Sequence, residues 1–62
     1  MTYAVWHPFG LADPSFSNYP AACRRLDAIC EQFTAAGVDV TRKRRGFALI
    51  FGWAFVVIRI QD

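Results

Sequence analysis

The chain has 62 residues, of which 55% are hydrophobic and 16% aromatic, and seven Lys or Arg against five Asp or Glu give a formal net charge of +2. A single domain of this length buries only about 60% of its unfolded surface, so marginal stability and reliance on a partner or on self-association are expected. The composition is too apolar for disorder, and the net charge is too small to imply nucleic acid by itself.

Residues 2–7 (TYAVWH) alternate and are rich in aromatic and β-branched side chains, which predicts a strand. Pro8 ends it, because proline cannot donate to a ladder. The next stretch, from Pro8 to Tyr19, carries Pro8, Gly10, Asp13, Pro14, Ser15, Ser17 and Asn18, which is loop chemistry. A loop of this length is long for a small domain and points to function or mobility. Phe9, Leu11, Phe16 and Tyr19 punctuate it. Two roles are open for them: pinning the loop over the core, or standing exposed as interface anchors.

One helix is expected from Pro20 to Ala36. Asn18 or Tyr19 starts it, and Pro20 fits the first turn, where a missing N–H costs nothing. Cys23, Leu26, Ile29, Cys30, Phe33 and Ala36 recur at three- and four-residue spacing and make one apolar stripe. Arg24, Arg25, Asp27 and Glu31 fall off that stripe. Gly37 follows as a left-handed cap. Cys23 and Cys30, both on this helix, have Cα atoms roughly 10 Å apart, beyond disulfide reach. They read as free core thiols in a reducing compartment. With no basic leader and no uninterrupted apolar run in residues 1–20, a cytoplasmic location is expected.

A second strand is predicted over Val38 to Arg44, followed by a reversal at Gly46. The apolar run from Phe47 to Ile60 divides into strands at about Phe47–Phe51 and Ala54–Ile60, with a reversal at Gly52-Trp53; the alternative is one long bent strand. Val56, Ile58 and Ile60 then face one way, and Phe55, Val57 and Arg59 the other. A transmembrane reading fails on length, since the thirteen residues from Gly46 to Ile58 span about 20 Å as a helix against a hydrocarbon core of ~30 Å. The expected architecture is α+β: a small antiparallel sheet of three to four strands in the order β-α-β-β-(β), with one helix (about 20–36) on one face. The other face would carry some of Phe47, Leu49, Phe51, Trp53 and Phe55, and would serve as a binding surface or a homodimer interface.

The catalytic inventory is thin. One His and two Cys lack the spacing of a structural metal site, and no metal or other cofactor is expected. His7, between Trp6 and Pro8, reads as a capping or surface group. The four glycines are scattered singly, so no phosphate loop is formed, and Asp27 and Glu31 read as solvated. The chain is therefore expected not to be an enzyme. The basic run Arg42, Lys43, Arg44 and Arg45 has three readings. It can be a solvated hairpin that discourages sheet aggregation, a contact for an acidic protein surface, or a phosphate contact for nucleic acid.

In size and composition across the whole chain, with no diagnostic motif, the sequence resembles small phage or mobile-element accessory proteins, anti-CRISPR inhibitors among them. That resemblance implies a tiny α+β domain that works without catalytic residues by occupying a surface of a larger complex. The strongly acidic DNA-mimic inhibitors are unlike this basic chain. The leading expectation is a protein-binding module, an inhibitor or regulator of a larger protein or ribonucleoprotein complex. Its contacts would come from Arg42, Lys43, Arg44, Arg45, Trp53 and Phe9, with Arg24 and Arg25. The alternatives are a nucleic-acid-binding domain that uses the same cations, and a structural subunit or homodimer.

Overall fold

The structure is a computed structural model that describes residues 2–9 and 16–60. The elements follow in the order β1 (Thr2–Trp6), α1 (Tyr19–Ala35), β2 (Val40–Arg44), β3 (Phe47–Ile50) and β4 (Trp53–Ile60). The four strands form one antiparallel sheet in the order β1-β4-β3-β2, with α1 packed on one face. This is the α+β arrangement expected from the sequence, with four strands and not three.

Helix α1 begins where Asn18 can cap it: its side-chain oxygen accepts the Ala21 amide at 2.8 Å, and Pro20 occupies the first turn. It ends in a Schellman motif. The Val38 amide donates to Phe33 O at 2.9 Å, and the Gly37 amide donates to Thr34 O at 3.0 Å. Gly37 takes φ +82°, the left-handed conformation that closes such a motif at little cost for glycine. The apolar stripe buries Ala22, Cys23, Leu26, Ile29 and Cys30 against the sheet. Both thiols are free and buried.

Strand pairing sorts the sheet residues into two faces. Val5 pairs with Val57, Ala48 with Phe55, and Ile50 with Trp53, and these residues share the face under the helix. Val5, Leu26, Ile29, Cys30, Ala48, Ile50 and Phe55 make the core, with Val38, Val40 and Val57 packed around it. Fully burying a side chain such as Leu26 contributes roughly 1.5–3 kcal/mol. Trp6, Phe47, Leu49, Val56, Ile58 and Ile60 lie on the opposite face.

Strand β1 stops one residue short of the expected His7, and β2 starts at Val40 and not Val38, because Val38 closes the helix end. The β3 and β4 boundaries differ for another reason. The β3–β4 reversal uses Phe51 and Gly52, not Gly52 and Trp53. Both have positive φ, +51° and +81°, as the favoured two-residue hairpin turn requires. Ile50 therefore opposes Trp53 and Ala48 opposes Phe55, so Trp53 and Phe55 lie on the helix side, and of the five residues named for the outer face only Phe47 and Leu49 are there. The hairpin also replaces the single bent strand. Among the described residues no helix is long and apolar enough to cross a membrane.

The long loop returns along β1: Tyr3 and Phe16 exchange backbone hydrogen bonds of 2.9 and 2.7 Å. Leu11, expected to pin this loop, lies outside the described residues, as do Gly10, Asp13, Pro14 and Ser15.

Candidate functional site

The residues expected to bind a partner do not form one surface. Apart from Arg24 and Arg25 on α1, they lie at or beyond the two ends of β3, which are about 10 Å apart at the rise of a strand.

At one end lies the turn between β2 and β3. A bulge falls between Arg42, opposite Ala48, and Arg44, opposite Phe47, so Lys43 is the inserted residue. The bulge sends the cations apart. Arg42 points to the helix side, where its Nη1 donates to Asp27 Oδ1 at 2.7 Å. Arg44 points to the outer face, with its guanidinium carbon 5.7 Å from the Phe47 ring centroid. Arg45 turns back over the Tyr19 ring at 5.5 Å, and its carbonyl accepts the Tyr19 hydroxyl at 3.1 Å. The cleft between α1 and this hairpin has a volume of about 320 Å³ and is lined by Leu26, Asp27, Cys30 and the residues from Arg42 to Ala48. Burial raises the pKa of both Tyr19 and Cys30 beside it. The N-terminus of α1 adds its positive dipole end to the same region. Arg24 and Arg25 are exposed one turn further along the helix. Arg24 lies three residues before Asp27 and shares its flank, whereas Arg25 sits about 160° round the helix from Asp27 at the helical pitch. The six cations therefore diverge instead of lining one track.

At the other end the surface is apolar. Phe9, Phe33, Val38, Ile50, Phe51, Trp53 and Phe55 line a groove of about 360 Å³. Phe9 and Phe51 are 68% and 73% exposed and Trp53 is 49% exposed, so the walls stand in solvent while buried Phe55 forms the floor. The rings touch in series. Phe9 lies 5.9 Å from Trp53, His7 lies 5.8 Å from Phe9 and 5.5 Å from Phe55, and Phe33 meets Phe55 edge-on at 6.2 Å. These spacings are those of favourable aromatic pairs. His7 is thus neither a cap nor a surface group: its ring is half-buried, and its Nδ1 is buried without a hydrogen-bond partner.

The groove is a product of local chain geometry. The Schellman motif brings Phe33 and Val38 together at the helix end, where an apolar contact between these two positions is usual. The tight turn presents Phe51, and the Phe51 amide donates to Asp39 O at 2.8 Å, which ties the turn to the segment entering β2. Sequence reasoning found Phe9 and Trp53 but placed Phe33 in the core stripe and Phe51 in a strand. The available signal was Phe51-Gly52 itself, an aromatic–glycine pair between two apolar runs.

Among the described residues no three His, Cys, Asp or Glu side chains gather as a metal site would need. No protein-family model, no curated protein and no solved structure matches this chain.

Proposed function

We propose that this protein is a non-enzymatic protein-binding module that docks on a larger protein or ribonucleoprotein complex through the aromatic groove. The observation that carries this reading is Phe51. It holds φ +51°, a conformation that asparagine or glycine adopts far more easily, and its ring is 73% exposed. A bulky side chain that strains its backbone and gains little burial in return contributes little to folding, and strain of that kind collects at binding sites. Phe51 stands beside Trp53 and Phe9, the residue types that anchor interfaces. With Phe33, which is 37% exposed, the four rings at about 200 Å² each present roughly 450 Å² of apolar surface, as large as the biggest patch on a typical monomer. This mode of action is the one implied by the resemblance to phage accessory proteins that inhibit by occupying a surface.

The test is affinity capture from a lysate of the source organism with the wild-type chain and with Phe51→Asn and Trp53→Ala, each with and without nuclease. The expected result is one complex retained by the wild type and lost by both variants while their circular dichroism spectra stay native. Retention that both variants leave unchanged overturns the reading. Retention that nuclease abolishes and the variants do not affect supports the nucleic-acid alternative instead.

A further inference from the structure

On the face away from α1, one row of side chains crosses the whole sheet. Trp6 of β1 opposes Val56 of β4, Val56 opposes Phe47 of β3, and Phe47 opposes Arg44 of β2. Ala4, Leu49, Ala54, Ile58 and Ile60 surround the row, and of these Ala4 has no exposed surface. Among the paired strand residues Arg44 is the only charged one on this face. Trp6 keeps 40% of its surface exposed.

We infer that this face pairs with the same face of a second copy of the chain, giving a symmetric sandwich of two sheets with the helices outside. The row is self-complementary. Rotation by 180° about an axis parallel to the strands lays it on its own reverse, so Trp6 meets Arg44 of the second copy and Val56 meets Phe47. Arg44 already lies over the Phe47 ring at 5.7 Å, and the indole of the second copy supplies another aromatic face to the same cation. Sheets packed in this way stand about 10 Å apart with strands within about 30° of each other. A heterologous partner would have to match an apolar face with one cation at its rim, whereas a second copy matches it by symmetry.

The area is sufficient for a dimer, though a weak one. Four strands about 4.8 Å apart, of four to eight residues each, make a face of roughly 350–400 Å² in projection. Side-chain relief raises this to about 500 Å² per copy, so a pair buries about 1,000 Å², the lower bound for a specific interface. The dimer is then populated by mass action as the protein concentration rises. It leaves the aromatic groove free, so it stands independently of the docking reading above.

Sedimentation velocity on the wild-type chain from about 10 μM to about 1 mM tests the inference. The expected mass rises with concentration from 7.0 kDa toward twice that value. Val56→Lys, at the centre of the face, is expected to hold the chain at the monomer mass throughout. Phe51→Asn, in the groove, is expected to leave the association unchanged. Should Val56→Lys fail to fold by circular dichroism, Arg44→Glu decides the matter. It lies at the exposed rim, leaves the core untouched, and is expected to weaken association at least tenfold. A wild-type mass of one chain over the whole range overturns the inference, as does a dimer that persists in the folded variants of Val56 and Arg44.

Discussion

The hydroxyl of Tyr19 donates to the carbonyl oxygen of Arg45 at 3.1 Å, joining the first residue of the helix to the β2–β3 turn across 26 positions of sequence. Tyr3 meets the same Tyr19 ring edge-on at 5.7 Å, and the Arg45 guanidinium covers it at 5.5 Å. One side chain thus clamps helix, hairpin and first strand together, and Gly46 makes room for it.

Gly46→Ala is expected to cost more than Gly37→Ala. Both glycines have left-handed φ, +79° and +82°, so both substitutions carry the backbone term of about 1–2 kcal/mol. At Gly37 an added Cβ meets open space, but at Gly46 it overlaps the Tyr19 hydroxyl. The excess at Gly46 is expected to be about 1–2 kcal/mol in urea denaturation. Tyr19→Phe in the Gly46→Ala background should recover part of it. Equal costs for the two glycine substitutions would show that the clamp yields freely.

Stability is expected to fall in alkali. Burial, the largest cause in each case, raises the pKa of the Cys30 thiol and of the Tyr19 phenol above their ordinary values of 9.0 and 10.0. The unfolded chain then loses these protons first. The folded state is therefore fully favoured below about pH 9 and loses that advantage as pH rises through the raised values. The urea midpoint should be flat from pH 7 to 8.5 and should decline above pH 9, less steeply in Tyr19→Phe. A midpoint that rises with pH would reverse the sign of the argument.

The Arg42–Asp27 ion pair is expected to matter little for folding despite its 2.7 Å separation. Its side chains are 53% and 55% exposed, and such pairs contribute about 0–1 kcal/mol and are screened by salt. Asp27→Asn should lower stability by under about 1 kcal/mol at low salt and by nothing measurable in 1 M NaCl. A larger loss that persists in high salt would mean that the pair helps to place the β2 bulge.

Phe51→Asn is expected to stabilise the fold. Asparagine before Gly52 is the preferred sequence for a turn with two positive φ values. The gain should be about 0.5–1 kcal/mol by thermal denaturation, alongside the loss of binding described above. A variant that is less stable than the wild type would mean that the Phe51 ring supports the groove in the free chain.

The fold was legible wherever one local signal settled a choice. Asn18, Pro20 and Gly37 fixed the helix ends, and the three- and four-residue spacing fixed its buried face. The sheet was legible except at the β3–β4 turn. Placing that turn one residue late shifts the β3–β4 register by two residues, which keeps the faces but moves Phe51 into a strand and Trp53 into the turn. The candidate site was less legible for a different reason. Trp53 and Phe9 are 44 residues apart, and their contact depends on β1 lying beside β4, which no local pattern encodes. The basic run was easy to see, yet its division among three neighbours, Asp27, Phe47 and Tyr19, depends on one inserted residue at Lys43.

The sheet ends differently on its two sides. Beyond β1 the returning chain occupies the backbone of Tyr3 through Phe16, and beyond β3 the outer strand is the basic segment Val40–Arg44, distorted by its bulge. Neither margin offers a straight, uncharged ladder onto which another strand could add. Sideways growth of the sheet into a fibre is therefore hindered at Tyr3 and along the basic strand, which favours self-association through a broad face over an edge. Contact through one such face closes on itself, so an assembly of this chain built in that way terminates at two copies.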